Sequence, residues 1–177
     1  MKVAYQGVPG AFGHQACLTF LPGYEPVGEV SFAAVLEAVA EGRADCGILP
    51  VENNEAGPVR EVQRLLASSP LDIVSEHTLP VRMHLLGLPG AEIDSIRTAV
   101  SHPVALMQCA RTIARLGLRT EEAANTAVAA STLADPAKAA LASEAAAEAY
   151  GLTILMRDVH DRADNATRFA VVARGPP

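Results

Sequence analysis

The 177-residue sequence predicts an α/β protein with largely parallel sheets, and three observations carry that expectation. Short runs of strand character alternate with helical runs along the chain. Half of the residues are hydrophobic and 19% are charged, a balance that supports a buried core. The rules for βαβ connections then place helices over the sheets and ligands beyond the strand C-termini.

The elements follow in order. A strand is expected at residues 2–5 (KVAY) and a helix at 13–21. SFAAVLEAVAEG (31–42) reads as a helix leading into a strand, ADCGILPV (44–51), which is βαβ order. PVREVQRLLASS (58–69) is helical again. Two extended stretches, 71–79 and 81–88, are separated by Pro80, which cannot donate to a strand ladder, so the chain is expected to cross over there. A second alternation runs through a strand at 96–101, a helix at 103–117 and a short strand near Leu118. It continues with a helix at 126–135, a strand at 138–143, a helix at 144–151 and a strand at 152–156. RFAVVAR (168–174) is one more strand. The alanines between 123 and 149 are helix formers with small packing faces.

Charge and cysteine usage exclude several classes. The net charge is -6 with no Lys/Arg run, so neither nucleic acid nor an anionic membrane is an expected partner, and an anionic substrate needs a local positive site. Cys17, Cys46 and Cys109 are odd in number, far apart and in apolar contexts, which reads as reduced core thiols in a cytoplasmic protein. No signal-peptide stretch and no run of about 18 apolar residues is present, so neither export nor a membrane span is expected.

Four stretches have the makings of a site. In YQGVPGAFGHQA a strand end, a glycine turn and a helix start bring backbone N–H groups at Gly10 to Gly13, Ala11 among them, to where a carboxylate can bind; a plain βα turn is the alternative. The turn has neither P-loop nor dinucleotide spacing. In ILPVENNEAGPV a strand is followed at once by Glu52, Asn53 and Asn54, which either face a crevice or form an Asx turn. In VSHPVALMQC, Ser101 and His102 precede a helix with Pro103 at its start and Gln108 beyond; Ser101 is a ligand group or an N-cap. In DNATRFAVVARG, Asp164, Asn165, Thr167 and Arg168 stand at the mouth of an apolar strand. The turn preference of Asp and Asn, with Arg snorkelling from a strand end, is the structural reading. The five histidines have no HxxxH or HExxH spacing and no GxSxG elbow exists, so metal and serine-hydrolase chemistry are not expected; Asp158, His160, Asp161 and Asp164 read as a solvated loop.

In their order, YQGVPGAFGHQAC, PVENNEAGPV, EHTLPVRMHLLGLPG, SHPVALMQC, AAAEAYGLTIL and above all DNATRF resemble the catalytic domain of prephenate dehydratases. The resemblance covers nearly the whole chain. It implies two α/β lobes of the periplasmic-binding-protein type with the active site in the cleft between them, lobe 1 at 1–77 plus 158–177 and lobe 2 at 78–157. The ACT domain that usually follows is not expected in this chain, which ends at Pro177. It also implies a cytoplasmic homodimer in phenylalanine biosynthesis, a hydro-lyase converting prephenate to phenylpyruvate. Glu52, Asn53, Ser101, Gln108, Thr167, Arg168 and Phe169 match the family pattern; Asn54, Gly13 and Val104 depart from it.

The reaction expels CO2 and a ring hydroxyl and is driven by aromatisation, so no cofactor is expected. The protein must supply a proton donor for the departing hydroxyl and anchors for carboxylate. By resemblance Thr167 is the general acid, and Glu52, Asn53, Asn54, Ser101, Gln108, Arg168, Phe169, Gly10 and Ala11 bind the substrate. Arg168 suits a carboxylate or braces the site, because adjacent residues of a regular strand face opposite sides and only one of Thr167 and Arg168 can enter a given crevice. Arogenate dehydratase, a non-aromatising prephenate decarboxylase and a non-catalytic small-anion-binding module are the alternatives.

Overall fold

The computed structural model describes residues 1–175, which form two compact units, each with its own sheet. The first unit holds β1 (Lys2–Gln6), α1 (Phe12–Phe20), β2 (Glu25–Glu29), α2 (Phe32–Ala40), β3 (Cys46–Asn53), β4 (Gly57–Pro58), α3 (Arg60–Ser68) and β5 (Asp72–Pro80). The second holds β6 (His84–Gly87), β7 (Thr98–Ser101), α4 (Pro103–Gln108), α5 (Ala110–Arg115), β8 (Arg119–Glu122), α6 (Thr126–Ser131), β9 (Lys138–Ala142), α7 (Glu144–Tyr150) and β10 (Thr153–Met156). The last strand, β11 (Ala166–Ala173), returns to the first unit.

The α/β expectation holds, but both sheets are mixed rather than largely parallel. The first has the order β2-β1-β3-β11-β5, with β4 paired to β3; β1 is parallel to β2 and β3, while β11 is antiparallel to both β3 and β5. The second has the order β10-β6-β9-β7-β8, parallel around β7 and antiparallel around β6. The crossover rule fixes the direction only of strands joined by a βαβ connection. Strand β11 arrives after the whole second unit, and that rule does not reach it.

Strand β2, EPVGE, was not expected, because Pro and Gly are poor strand formers; it lies at the sheet edge, where both are tolerated. The helix expected over 103–117 is broken at Cys109 into α4 and α5.

Alternate residues of the first sheet serve two cores. Val3, Tyr5, Ile48, Phe169 and Val171 pack with Cys17 of α1, while Ala4, Leu49, Ala170 and Val172 pack with Val35 and Val39 of α2 and Val62 of α3. The second unit is filled by Leu86, Val100 and alanines 129, 130, 140, 142, 146 and 147, which accounts for the alanine-rich stretch.

The unit boundaries fall at Pro80/Val81 and Asp164/Asn165, later than the expected 77/78 and 157/158. Pairing of β5 with β11 continues to Pro80 opposite Ala166, which keeps residues 78–80 in the first sheet. Residues 158–161 are tied into the second unit by Val159 N–H to Met83 C=O at 2.9 Å, Asp161 N–H to Gln108 C=O at 2.7 Å and Asp158 N–H to His84 Nδ1 at 3.0 Å. Pro9–Ala11 also group with the second unit, where Tyr150 Oη donates to Pro9 C=O at 2.6 Å and Ser143 Oγ to Gly10 C=O at 2.7 Å.

The buried His84 ring makes this tie acid-sensitive. Burial, the largest influence, holds the imidazolium below its ordinary range against the opposing pull of Asp158 and Glu144, while Arg157 and His160 push the same way as burial. A folded pKa below the unfolded 6.5 means that the unfolded chain binds the proton more readily. This contribution is therefore present above pH 6.5 and lost as pH falls through that value toward the folded pKa. Burial of His14 adds with the same sign. The melting temperature should be flat from neutral to mildly alkaline pH and fall below pH 6.5, with a shallower fall in His84→Asn, whose Oδ1 keeps an acceptor for Asp158 N–H.

Candidate active site

The end of β3 lies beside the start of β11, with Asn53 opposite Thr167 and Glu52 opposite Arg168. Asn53 uses both ends of its side chain. Its Oδ1 accepts from the backbone N–H of Glu55 at 3.0 Å and of Ala56 at 2.8 Å, closing an Asx turn. That fixes the amide orientation, so Nδ2 faces β11 and donates to Asn165 Oδ1 at 2.9 Å, Ala166 C=O at 3.1 Å and Thr167 Oγ1 at 2.9 Å. The turn reading of Asn53 holds through Oδ1, while Nδ2 joins the polar cluster at the start of β11.

The consequence falls on Thr167, which is nine-tenths buried. A hydroxyl has one hydrogen and two lone pairs. Asn53 takes a lone pair, and the hydrogen remains available to donate. Two buried polar atoms on residues bonded to Asn53 have no partner among the described residues: Asn165 Nδ2 and Glu55 Oε2.

Asn54, expected to contact substrate, is bonded to the β11 backbone: its Oδ1 accepts from Ala166 N–H at 2.9 Å and its own N–H donates to Ala166 C=O at 3.1 Å. The side chain lengthens the strand pairing just before Thr167. The shorter Asn54→Ser is expected to lose the side-chain bond, at a cost of about 1 kcal/mol. That corresponds to a melting temperature lower by about 2–4 °C, with KM and kcat changing little.

Thr167 and Arg168 lie on opposite faces, as strand alternation requires; the register of β11 against β3 shifts only after Arg168. The Arg168 guanidinium donates to Glu76 Oε1 on β5 at 2.7 Å and to Glu52 Oε2 on β3 at 3.0 Å. Hydrogen bonds to Glu52, then Glu76, hold its pKa above the ordinary range. One cation between two carboxylates is a brace across three strands and a poor anchor for a third carboxylate. Phe169 is 1% exposed and packs in the core with Ile48 and Val171, which fixes β11.

In the second unit, Ser101 is fully buried at the end of β7 and its Oγ donates to Leu141 C=O at 2.7 Å. It is not the N-cap. His102 is, its Nδ1 accepting from Val104 N–H at 3.2 Å, with Pro103 opening α4 as expected. Gln108 is buried at the end of α4, and its C=O receives Asp161 N–H. Gly10 adopts φ +86° with its Cα face against Ala146, and Ala11 follows it before α1 begins.

The acids of residues 157–164 have partners: Asp158 with Arg82, Asp161 with Arg111 N–H and Asp164 with Arg162. Among the described residues no group of three His, Cys, Asp or Glu side chains is placed to hold a metal ion. The three cysteines are buried free thiols, and burial pushes Cys17 up to about 12 and Cys46 to about 11. Among the described residues no helix is long and apolar enough to cross a membrane.

The fold defines an α/β scaffold with a buried hydroxyl–amide cluster at a strand end. A family model described as prephenate dehydratase matches residues 3–177, and the chain belongs to that family. It is 38% identical over 179 residues to arogenate dehydratase/prephenate dehydratase 1, chloroplastic, of Arabidopsis thaliana, covering 99% of this chain and 46% of the relative. It is 39% identical over 177 residues to a bifunctional N-acyl-homoserine lactone acylase/prephenate dehydratase of Komagataeibacter europaeus, covering 98% of this chain and 63% of the relative. The structure of a prephenate dehydratase from Arthrobacter aurescens in complex with L-Phe superposes with a TM-score of 0.90 at 26% identity, covering 100% of this chain and 61% of that one. The chain thus spans about half to two-thirds of the length of these proteins.

Proposed function

We propose that this chain converts prephenate to phenylpyruvate, coupling loss of CO2 to loss of the ring hydroxyl, with Thr167 as the general acid. The observation that carries the reading is the Asn53 Nδ2 to Thr167 Oγ1 bond of 2.9 Å, which uses a lone pair of the hydroxyl and leaves its hydrogen to meet the departing oxygen. A positioned donor of this kind lowers the barrier where charge develops on the leaving group. Asn53 sets the hydroxyl rotor, Asn54 holds the backbone at Ala166, and the Glu52–Arg168–Glu76 set braces the strands. Gln108, Ser101, Gly10 and Ala11 are proposed as further substrate-binding residues on the family resemblance, Ser101 through the strand end it secures.

Prephenate is favoured as substrate because both curated relatives described above carry that activity in their names. Arogenate, in which an amino group replaces the keto group, is the second reading, since the plant relative carries both names. Prephenate as substrate places the reaction in phenylalanine biosynthesis. We further propose a cytoplasmic protein, consistent with three buried reduced thiols, and a homodimer, which sizing by light scattering tests.

The deciding assay adds prephenate or arogenate to the purified chain and follows phenylpyruvate by absorbance and phenylalanine by chromatography. Turnover of prephenate, unchanged by a chelator, is expected, because acid assistance needs no metal. Phenylalanine from arogenate at a higher kcat/KM moves the substrate assignment to arogenate. Binding without turnover of either leaves a ligand-binding module, and turnover that a chelator abolishes and a divalent ion restores overturns the metal-free mechanism.

A further inference from the structure

We infer that Asn165 is a positioning residue for the acid: its side-chain oxygen, with the two backbone N–H groups that set the Asn53 amide, steadies Asn53 Nδ2 against the Thr167 hydroxyl and leaves the Thr167 hydrogen unspent. The inference rests on the dehydratase reading of Thr167.

Asn165 is 2% exposed, and its Oδ1 accepts from Asn53 Nδ2 at 2.9 Å. The Asn53 amide carries two hydrogens, shared among Asn165 Oδ1, Ala166 C=O and Thr167 Oγ1. Three acceptors for two hydrogens make the Asn165 oxygen part of the set that aims Nδ2 at Thr167. Without the Asn165 oxygen, Oδ1 keeps its two backbone N–H donors, but beside Thr167 the Nδ2 end keeps only the longer Ala166 contact, and the hydroxyl faces a less tightly held partner.

The other end of Asn165 supports a role beyond packing. Its Nδ2 is buried with no partner among the described residues. A buried donor left unmade is a cost to the fold, and a leucine of similar size would avoid it. Asn165 therefore supplies an acceptor at a cost in stability, the pattern expected where a site is prepared for chemistry.

The test compares Asn165→Leu, Asn165→Asp, Thr167→Val and the Asn165→Leu/Thr167→Val double variant in the complete chain, by prephenate turnover and thermal melting. Asn165→Leu should melt within a few degrees of the parent, because it loses one hydrogen bond and also removes an unpaired donor. Its kcat should fall about 10- to 10²-fold, as for a misplaced catalytic group, with KM changed less than about twofold. Asn165→Asp, which keeps an oxygen for Asn53 Nδ2, should retain more of kcat than Leu. In the Thr167→Val background Asn165→Leu should cost nothing further, because its effect passes through the hydroxyl.

A parental kcat in Asn165→Leu, while Thr167→Val is impaired, overturns this assignment alone. So does a Leu loss that multiplies with the Val loss. If the Leu variant does not fold, a loss in Asn165→Asp as large as that in Thr167→Val overturns it, and a smaller one supports it. A parental rate in Thr167→Val overturns the reading of the acid and this assignment with it.

Discussion

Thr167→Val is expected to lower kcat for prephenate by about 10²- to 10⁴-fold, the range for a positioned proton donor, with the melting temperature close to that of the parent. Valine keeps the β-branched shape at a position nine-tenths buried between β3 and β5, so the strand pairing of β11 opposite Asn53 and Leu79 is preserved. What the substitution removes is the oxygen that Asn53 Nδ2 meets at 2.9 Å and the hydrogen beyond it. Thr167→Ser restores both and should recover most of the rate. The competing expectation is a purely structural threonine. The lost bond costs on the order of 1 kcal/mol of stability under either expectation, but a purely structural threonine would leave turnover by the folded fraction unchanged. Rates normalised to folded protein, measured with melts, separate the two, since one moves kcat and the other moves only the melting temperature. A valine variant that melts like the parent and works at the parental rate removes Thr167 from the mechanism.

The sequence shows this site unevenly, for reasons that lie in its geometry. The alternation of strand and helix was legible because each element carries its own period, and the site stretches were legible because they interrupt apolar strands with polar residues. The opposite facing of Thr167 and Arg168 follows from strand geometry alone and holds. Partners across the sheet were not legible. Glu76 is 92 residues from Arg168, and nothing local says that β5 lies beside β11 in the register that joins them. Lacking that, the guanidinium reads as either an anchor for carboxylate or a brace, and the structure finds it between two carboxylates. Asn165 was visible only as a turn former, because its role depends on the direction of the Asn53 amide, which two backbone N–H groups set. The mixed strand directions were missed for a similar reason: β11 enters its sheet from a distant part of the chain.

Gly10→Ala is expected to destabilise the second unit severely although it adds only a methyl group. Gly10 has φ +86°, and a Cβ built there would lie 2.6 Å from Ala146 Cα and 2.9 Å from Ala146 Cβ. The backbone conformation costs an L-residue about 1–2 kcal/mol. Overpacking a site that cannot yield adds about 1–3 kcal/mol, and the nearest atom here is helix backbone rather than a flexible side-chain tip. The sum corresponds to a fall in melting temperature on the order of 10 °C for a chain of this size. The same approach is enforced from the other side, where Ser143, the N-cap of α7, donates to Gly10 C=O at 2.7 Å while accepting from Ala146 N–H at 3.1 Å. Ala146→Gly in the same chain should recover only part of the loss, because the contact with Cα and the strained φ remain. Gly13→Ala, three residues on in the first turn of α1, is the control: its Cβ would meet Gln6 O and Tyr5 Cδ2 at 3.4 Å, ordinary contact, so the melt should not fall. The pair bears on function, because a turn read from sequence as a carboxylate cradle is also a close-packed joint of the fold. If Gly10→Ala loses activity and stability together, the glycine serves packing. A Gly10→Ala variant that melts like the parent and binds prephenate more weakly would instead show that the backbone of this turn reaches the substrate.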